Sequence, residues 1–288
     1  MITASTRATG THGRLKKGNM KNILVPGSGG MLGYGVSSYL RKNGYNVKGL
    51  ARNDFDVTKQ DVTDIEKYIV KQDLVINCIG VIKPMIEKNS VQDVLKVNSI
   101  FPQNLAKLCR KNNVKLIHVT TDCVFSGKTG NYKETDLYDA DDLYGISKNG
   151  GDGSECMVLR TSFVGPENGN SRSLMEWAFS QKNKSVKGFT NHRWNGVSSV
   201  YFAEICAKIL NENLYKEGVY HIYSPDTVTK YELLQIFDKV FGLGLKISPA
   251  EAAEKCDRSM SSIHNLSSTI VTKTIETQVN ELKHFFKL

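Results

Sequence analysis

Tyr144 and Lys148 are four residues apart and form the pair best suited to acid–base chemistry in this sequence. Within a helix, that spacing places both side chains on one face. A free phenol has a pKa of about 10, and a neighbouring ammonium group stabilises the phenolate and lowers that pKa. The pair is therefore predicted to exchange a proton with a substrate oxygen, and Lys148 could also hold a ribose.

Thr121 follows a short apolar run, Lys115–Val119, that is predicted to be a buried strand. Ligands bind at the carboxyl ends of the strands in open α/β sheets. The Thr121 hydroxyl is therefore predicted to hydrogen-bond a substrate oxygen. The alternative is that it only caps the loop.

A glycine-rich turn lies between a predicted strand, Asn22–Pro26, and a predicted helix, Gly30–Lys42. Gly27 allows a tight turn, Gly30 lets the backbone approach a pyrophosphate, and Gly33 lets the helix pack on the strand. The helix N-terminus offers free N–H groups and a partial positive charge to phosphates. The turn therefore predicts dinucleotide binding, with a purely structural turn as the alternative.

Arg52 follows the second predicted strand, Asn46–Leu50. An acid near this place usually contacts the ribose 2′-hydroxyl of NAD, whereas an arginine accommodates the 2′-phosphate of NADP. The sequence therefore favours NADP. The alternative is a solvated surface arginine.

The elements that must position these side chains alternate between strands and helices. Such alternation predicts βαβ units and an α/β fold with a doubly wound parallel sheet, covered by helices on both faces. The predicted strands are 22–26, 46–50, 74–78, 115–119 and 157–160, and the predicted helices are 30–42, 64–71 and 100–112.

The alternation becomes irregular after residue 165. Predicted helices at 174–181, 201–210 and 230–241 surround one predicted strand at 218–223. We therefore divide the chain into an NADP-binding Rossmann domain, residues 20–164, and a part that is mainly a substrate-binding lobe, residues 165–288.

Three glycines, Gly150, Gly151 and Gly153, closely follow Lys148. Each glycine inside a helix costs about 1 kcal/mol relative to alanine. The helix that carries Tyr144 and Lys148 is therefore predicted to stop early.

Composition excludes several classes of protein. The 288 residues carry a net charge of +9, and four of the basic residues lie within 1–19, a stretch predicted to be a disordered extension. The remaining charge is a weak argument for nucleic acid binding, and no apolar run approaches the ~20 residues of a membrane helix. The six scattered cysteines predict free thiols in a reducing, cytoplasmic compartment and no metal site.

Five segments together resemble the extended short-chain dehydrogenase/reductases, and most of all the branch of dTDP-4-dehydrorhamnose reductases and their UDP-sugar relatives. The segments are Gly27–Gly33, Asn77–Gly80, Thr120–Gly127, Tyr144–Lys148 and Leu159–Ser162.

The resemblance implies NADPH-dependent reduction of the C4 ketone of a nucleotide-linked 4-keto-6-deoxyhexose, which leads to an activated L-rhamnose or a close 6-deoxy sugar. It implies that Tyr144 donates the proton, that Lys148 tunes Tyr144 and holds the ribose, and that Thr121 completes the triad. The implied cofactor contacts are Gly27, Gly30, Met31, Leu32, Gly33, Arg52, Asp56, Val57, Asn77, Cys78, Ile79, Gly80, Asn98 and Lys148. The predicted substrate contacts are Lys83, Thr121, Phe163, His192 and Arg193.

Cys123 extends the resemblance to GDP-fucose synthases, in which a cysteine two residues after the catalytic hydroxyl acts in 3,5-epimerisation. A thiol near a cation can exist as thiolate and exchange the acidic protons beside a ketone. The alternative is a small packing residue, and no clear His or Lys follows Gly165-Pro166 as a second acid–base group.

Two other functions remain open from the sequence. One is a catalytically silent NADP-binding regulatory subunit, and the other is a reductase of an acetamido-dideoxyhexulose nucleotide. The expected partner of the reductase is a nucleotide-sugar substrate, and the chain could form a homodimer.

Overall fold

A computed structural model describes residues 20–167, 169 and 173–288 of the chain. The predicted extension at residues 1–19 lies outside this range.

The strands are short and mostly rich in β-branched and other apolar residues. They are β1 Asn22–Pro26, β2 Asn46–Leu50, β3 Leu74–Asn77, β4 Lys115–Thr121, β5 Met157–Thr161, β6 Phe163–Val164, β7 Ser185–Phe189, β8 His192–Trp194, β9 Val197–Ser198, β10 Gly218–His221, β11 Val228–Thr229, β12 Lys246–Ala250 and β13 Cys256–Asp257.

The helices lie between these strands. They are α1 Met31–Lys42, α2 Glu66–Ile69, α3 Val91–Leu95, α4 Phe101–Lys111, α5 Leu143–Asp152, α6 Leu174–Ser180, α7 Ser199–Asn211, α8 Lys230–Phe241, α9 Leu266–Ile270 and α10 Ile275–Phe286. A π-helical turn, Lys96–Ile100, joins α3 to α4, and 3-10 turns occupy Val62–Ile65, Lys83–Lys88 and Asp122–Val124.

Six strands form one sheet in the order β10-β5-β4-β3-β1-β2, and every neighbouring pair is parallel. Successive side chains of a strand point to opposite faces. Ile23 and Val25 accordingly join a core under α1 and α7, whereas Leu24 joins the core under α4. The doubly wound α/β fold predicted from the sequence is confirmed.

The strand order reverses direction at β1, which lies between β2 and β3. A crevice opens at such a switch point, at the carboxyl ends of the strands, and ligands bind there. The glycine-rich turn after β1 therefore begins at the place where a nucleotide would bind.

The position of β10 differs from the sequence-based division of the chain. The segment 218–223 was expected in the second lobe, but Gly218–His221 pairs with Met157–Arg160 as the outer strand of the main sheet. The helix before it, α7, packs against α1 and contributes Phe202 and Ile205 to the core of the sheet. Because this pairing joins residues about sixty positions apart, local sequence patterns could not reveal it.

Helix α5 runs through Gly150 and Gly151 and ends at Asp152, immediately before Gly153. A Cβ atom on Gly150 would lie 2.5 Å from the Ser99 hydroxyl, and one on Gly151 would lie 2.5 Å from the Asn98 carbonyl. The glycines thus allow α5 to approach the π-helical turn closely, and this packing offsets their low helix propensity.

The rest of the chain after β5 forms a smaller part beside the sheet. A three-stranded sheet, β11-β8-β13, and a two-stranded sheet, β12-β7, adjoin a core made with α8 and α10. Buried Gln278 of α10 accepts from the Ser198 backbone and donates to Ser224, so the last helix is fixed to both parts. The assignment of residues 165–288 mainly to substrate binding stays a prediction.

Candidate active site

The glycine-rich turn has the shape that a bound pyrophosphate requires. Gly27 has a φ of +84°, and a Cβ atom there would lie 2.7 Å from the Cys78 backbone. A Cβ atom on Gly33 would lie 2.1 Å from the Gly27 carbonyl. No side chain caps the N-terminus of α1, whose first turn holds no acidic residue. Its N–H groups and partial positive charge therefore suit an anion, and the cradle fits a dinucleotide phosphate.

Arg52 and Asp56 lie in the turns after β2. Arg52 is solvent-exposed at the end of this strand, where its guanidinium could reach a 2′-phosphate. The Asp56 carboxylate accepts from the backbone and hydroxyl of Thr58, and these bonds together with nearby Arg52 and Lys59 hold its pKa below the usual range despite burial. Val57 is buried in the core.

The segment after β3 runs directly beneath the glycine turn. The Asn77 side chain contacts His118 at 3.1 Å and accepts from the Ile79 backbone, which fixes the loop. A Cβ atom on Gly80 would lie 3.6 Å from the Lys148 ammonium nitrogen. The structure thus brings the predicted cofactor loop, Asn77–Gly80, together with the predicted catalytic lysine.

Asn98 is 1 % exposed and links three elements. Its amide oxygen accepts from the Val81 backbone at 2.8 Å, and its amide nitrogen donates to the Val81 carbonyl and to the Ser147 hydroxyl. Ser147 lies on α5 beside Lys148. Asn98 therefore fixes the end of the predicted cofactor loop relative to α5, and its own contact with a cofactor stays a prediction.

Lys148 is buried and donates to the Val119 carbonyl at 2.9 Å. Burial lowers its pKa to about 8, and the nearby Asp152 carboxylate and Cys78 thiol oppose that fall. The ammonium is therefore poised to change its charge slightly above neutral pH.

Tyr144 and Thr121 meet at the carboxyl end of β4. Burial raises the pKa of the Tyr144 phenol above its ordinary value, Cys123 and Asp122 add to that rise, and the Thr121 hydroxyl opposes it. The sequence predicted a lowered pKa through Lys148, but burial outweighs any such effect, and the Lys148 ammonium donates to the Val119 carbonyl. The phenol is consequently protonated at neutral pH, as a proton donor requires.

Cys123 lies on the turn that Thr121 caps, and its backbone N–H donates to the Thr121 hydroxyl at 3.1 Å. Burial raises the pKa of the Cys123 thiol to about 12, and the Asp122 carboxyl acts in the same direction. The thiolate expected from the sequence is therefore not the resting form. A neutral thiol faces the site instead.

Two cations that the sequence patterns did not indicate lie near the Cys123 thiol. The charge of Arg258 opposes the rise of the thiol pKa, and Lys230 interacts electrostatically with the same thiol. Arg258 donates to the carbonyls of Phe125 and Ser126 at 2.8 and 3.2 Å, which fixes the loop beyond Cys123. Lys230 is the first residue of α8, where the helix dipole disfavours a cation. The unfavourable position of Lys230 at the start of a predicted helix could be recognised in the sequence. Its neighbours could not, because they depend on the pairing of strands far apart in the chain.

The predicted substrate residues lie in different surroundings. The Lys83 ammonium donates to Asp142, the residue that caps α5, at 2.5 Å. Phe163 packs edge-on against Phe202 at the border of the core. His192 contacts the Glu254 carbonyl, and Arg193 pairs with Asp257 at 3.5 Å. Their contacts with substrate stay predictions.

Other features of the described residues bear on the class of protein. All six cysteines are free thiols. Within residues 20–167 and 173–288, no cluster of His, Cys, Asp and Glu has the arrangement of a metal site. No helix in the same ranges is long and apolar enough to cross a membrane.

Comparison with known proteins agrees with the resemblance. The family model described as "RmlD substrate binding domain" matches residues 20–287. Among curated proteins, a dTDP-4-dehydrorhamnose reductase from Aggregatibacter actinomycetemcomitans is 30% identical over 237 residues, which are 76% of this chain and 79% of that protein.

Solved structures show the same fold at lower identity. A dTDP-4-dehydrorhamnose reductase from Clostridium acetobutylicum superposes with a TM-score of 0.76 at 20% identity, over 93% of this chain and 100% of that one. The enzyme of that name from Bacillus anthracis, solved in complex with NADP, gives a TM-score of 0.75 at 17% identity over 93% and 99% of the two chains.

Proposed function

The chain belongs to the RmlD substrate binding domain family of extended short-chain dehydrogenase/reductases, and from this premise we propose that it reduces the C4 ketone of a nucleotide-linked 4-keto-6-deoxyhexose with NADPH. The observation that supports the proposal is the contact of the Thr121 hydroxyl with the protonated Tyr144 phenol, one helical turn from buried Lys148, which itself lies against the loop under an uncapped glycine-rich helix N-terminus. The product would be an activated L-rhamnose or a close 6-deoxy sugar.

The mechanism assigns one task to each side chain. NADPH supplies a hydride to C4 when it is bound. The Thr121 hydroxyl orients the C4 oxygen, and the Tyr144 phenol delivers the proton that turns this oxygen into a hydroxyl. The Lys148 ammonium stabilises the phenolate that remains and holds the ribose, and solvent then returns a proton to Tyr144.

NADP rather than NAD fits the turn after β2. Arg52 is exposed there and carries no carboxylate partner among the ion pairs of the described residues. A planar guanidinium binds a 2′-phosphate well. We expect Arg52→Ala to weaken NADPH binding by about tenfold or more and NADH binding by less than about twofold, as measured by fluorescence titration.

A direct turnover assay tests the proposal. The purified protein is mixed with NADPH and either dTDP- or UDP-4-keto-6-deoxyglucose, with or without a separate 3,5-epimerase. Consumption of NADPH with a 4-hydroxy sugar product, identified by NMR, is the expected result. Tight NADPH binding without turnover of either substrate would favour the regulatory subunit or an acetamido sugar substrate.

A second activity, 3,5-epimerisation, is favoured by the position of Cys123 beside Thr121 and close to Lys230. Protons next to the C4 ketone are acidic. We propose that the uncharged form of Lys230, which burial favours, accepts one such proton and that the neutral Cys123 thiol returns a proton to the same carbon.

Exchange with heavy water tests the epimerisation without NADPH. The protein is incubated with the 4-keto sugar nucleotide in D2O, and deuterium at C3 and C5 is followed by NMR. We expect incorporation that falls at least about tenfold in Cys123→Ser and is unchanged in the control Cys109→Ser, whose thiol lies in the core under α4. Absence of incorporation by the natural sequence would leave a pure 4-reductase.

A further inference from the structure

Arg160 is the largest fully buried side chain among the described residues, and it lies outside the triad. Its guanidinium, 0 % exposed, donates to Asp152 at 2.5 Å and to the Tyr138 hydroxyl at 2.7 Å. It also contacts the Nε2 atom of His221 at 2.8 Å. Burying a cation so completely costs several kcal/mol unless partners satisfy it, so this arrangement needs a reason.

His221 supplies no charge to the cluster. Its Nδ1 atom faces the carbonyls of Ser261 and Tyr132 at 2.8 and 3.1 Å, and therefore carries the proton. Nε2 is then the acceptor for Arg160. Burial and the Arg160 charge lower the His221 pKa to about 4, so the ring is neutral at neutral pH. Asp152 is thus the carboxylate that balances Arg160.

Asp152 lies four residues after Lys148 on α5, so the two side chains share one face of the helix. Its Oδ2 atom binds Arg160, and its buried Oδ1 atom makes no hydrogen bond of full geometry within the described part of the chain. The nearby Thr120 hydroxyl also favours the charged carboxylate. The Lys148 ammonium donates one hydrogen bond, to Val119. A row of alternating charges, Arg160, Asp152 and Lys148, therefore crosses from β5 to the catalytic helix.

The other titratable groups around Lys148 do not provide a negative charge at neutral pH. Burial raises the pKa of the Cys78 thiol, which follows β3, to about 12. Burial holds the His118 pKa well below its ordinary value, so this ring on β4 is neutral. The phenol of Tyr144, on the same helix, is protonated. Burial raises the Asp152 pKa above its ordinary value, and the Arg160 charge and hydrogen bond oppose that rise. Among the described residues around Lys148, Asp152 paired with Arg160 is therefore the group that most strongly favours the charged ammonium.

We propose that Arg160 and Asp152 are positioning residues that keep the Lys148 ammonium charged and in place for cofactor and phenol. Arg160 keeps the buried Asp152 ionised and holds it in one orientation. Asp152 in turn stabilises the charged form of Lys148 against burial. This inference rests on the proposed role of Lys148, but its test does not require turnover.

The experiment measures the dissociation constant of NADPH by fluorescence across the alkaline range. Affinity in the natural sequence should fall as pH rises through the pKa of Lys148, about 8. In Asp152→Asn, which keeps the shape and removes the charge, the fall should begin about one pH unit lower. Asp152→Glu should restore the original profile, and the control Glu155→Gln, an exposed carboxylate paired with Arg110, should not move it.

Asp152→Asn leaves Arg160 buried without a counter-charge and could fail to fold. The double variant Asp152→Asn with Arg160→Gln removes both charges, and such replacements of buried pairs are often neutral for stability. It should show the same displaced profile. A folded single or double variant whose profile coincides with that of the natural sequence would overturn the proposal and leave a purely structural ion pair.

The outcome separates this inference from the proposed function. If the keto sugars are not turned over while NADPH binds, the proposed function fails and the pH dependence of binding still decides the role of Asp152. If turnover is found, the pH profile of kcat in the variants should be displaced by the same amount as the profile of NADPH binding. The KM for the sugar should change less than about threefold.

Discussion

The protonation states of the site residues suit reduction better than oxidation. Burial keeps the Tyr144 phenol protonated and lowers the pKa of Lys148 to about 8, so donor and cation coexist at neutral pH. The local spacing of Tyr144 and Lys148 could be predicted because both lie on one helix. The direction of the Tyr144 shift could not, because it depends first on burial in the folded chain and then on Cys123 and Asp122 from another element.

Replacing Tyr144 tests the proton donor. We expect Tyr144→Phe to lower kcat by about 10²–10⁴-fold, because the ring stays and only the proton source is lost. The dissociation constant of NADPH should change by less than about threefold. Tyr68→Phe on the surface is the matched control, with kcat unchanged. Near-full activity of Tyr144→Phe would remove Tyr144 from the mechanism.

The chemical reactivity of Cys123 tests its neutral form. A thiol with a pKa of about 12 holds very little thiolate at pH ~8, and only the thiolate reacts with iodoacetamide. We expect peptide mapping to show Cys123 alkylated at least about tenfold more slowly than free cysteine. Alkylation as fast as that of the free amino acid would instead place a stabilised thiolate in the site.

At the level of elements, α5 is held by close packing more than by its own helix propensity. Gly150 and Gly151 are poor helix formers, yet they lie where a side chain would strike Ser99 and Asn98. Propensity alone therefore predicts an early end to the helix but does not explain why it runs through Gly150 and Gly151 before it ends. The same glycines bring Asn98 within reach of Ser147, which aligns the cofactor loop with the catalytic helix.

Two alanine substitutions separate packing from propensity. Gly151→Ala gains about 1 kcal/mol of helix propensity but places a Cβ atom 2.5 Å from the Asn98 carbonyl, so we expect a net loss of about 1–3 kcal/mol in the free energy of unfolding. A Cβ atom on Gly153 would have no atom within 4 Å, and the φ of Gly153 is negative, so Gly153→Ala should be neutral or slightly stabilising. Urea unfolding measures both. A stabilised Gly151→Ala variant would contradict the packing argument.

At the scale of the whole molecule, hydrogen bonds and packing connect the main sheet to the smaller part of the chain. The sequence patterns located most strands and helices, but they could not show that β10 completes the main sheet or that Arg258 and Lys230 reach Cys123. These features depend on pairing between distant segments. Tyr201 of α7 adds a further link, since its hydroxyl accepts from the backbone of Thr272 and Lys273 before α10.

These connections between the two parts predict that the molecule unfolds as one unit. Both tryptophans, Trp177 and Trp194, lie after residue 165, so their fluorescence reports on the second part, whereas far-ultraviolet circular dichroism reports on the whole chain. We expect the two signals to give one urea midpoint. NADPH at about 100 times its dissociation constant should raise both midpoints equally, by about 2.7 kcal/mol of stability, although the site proposed for its phosphates lies beside α1. A fluorescence midpoint that stays fixed while the dichroism midpoint rises would mean that Gln278 and Tyr201 do not couple the second part of the chain to the proposed nucleotide site.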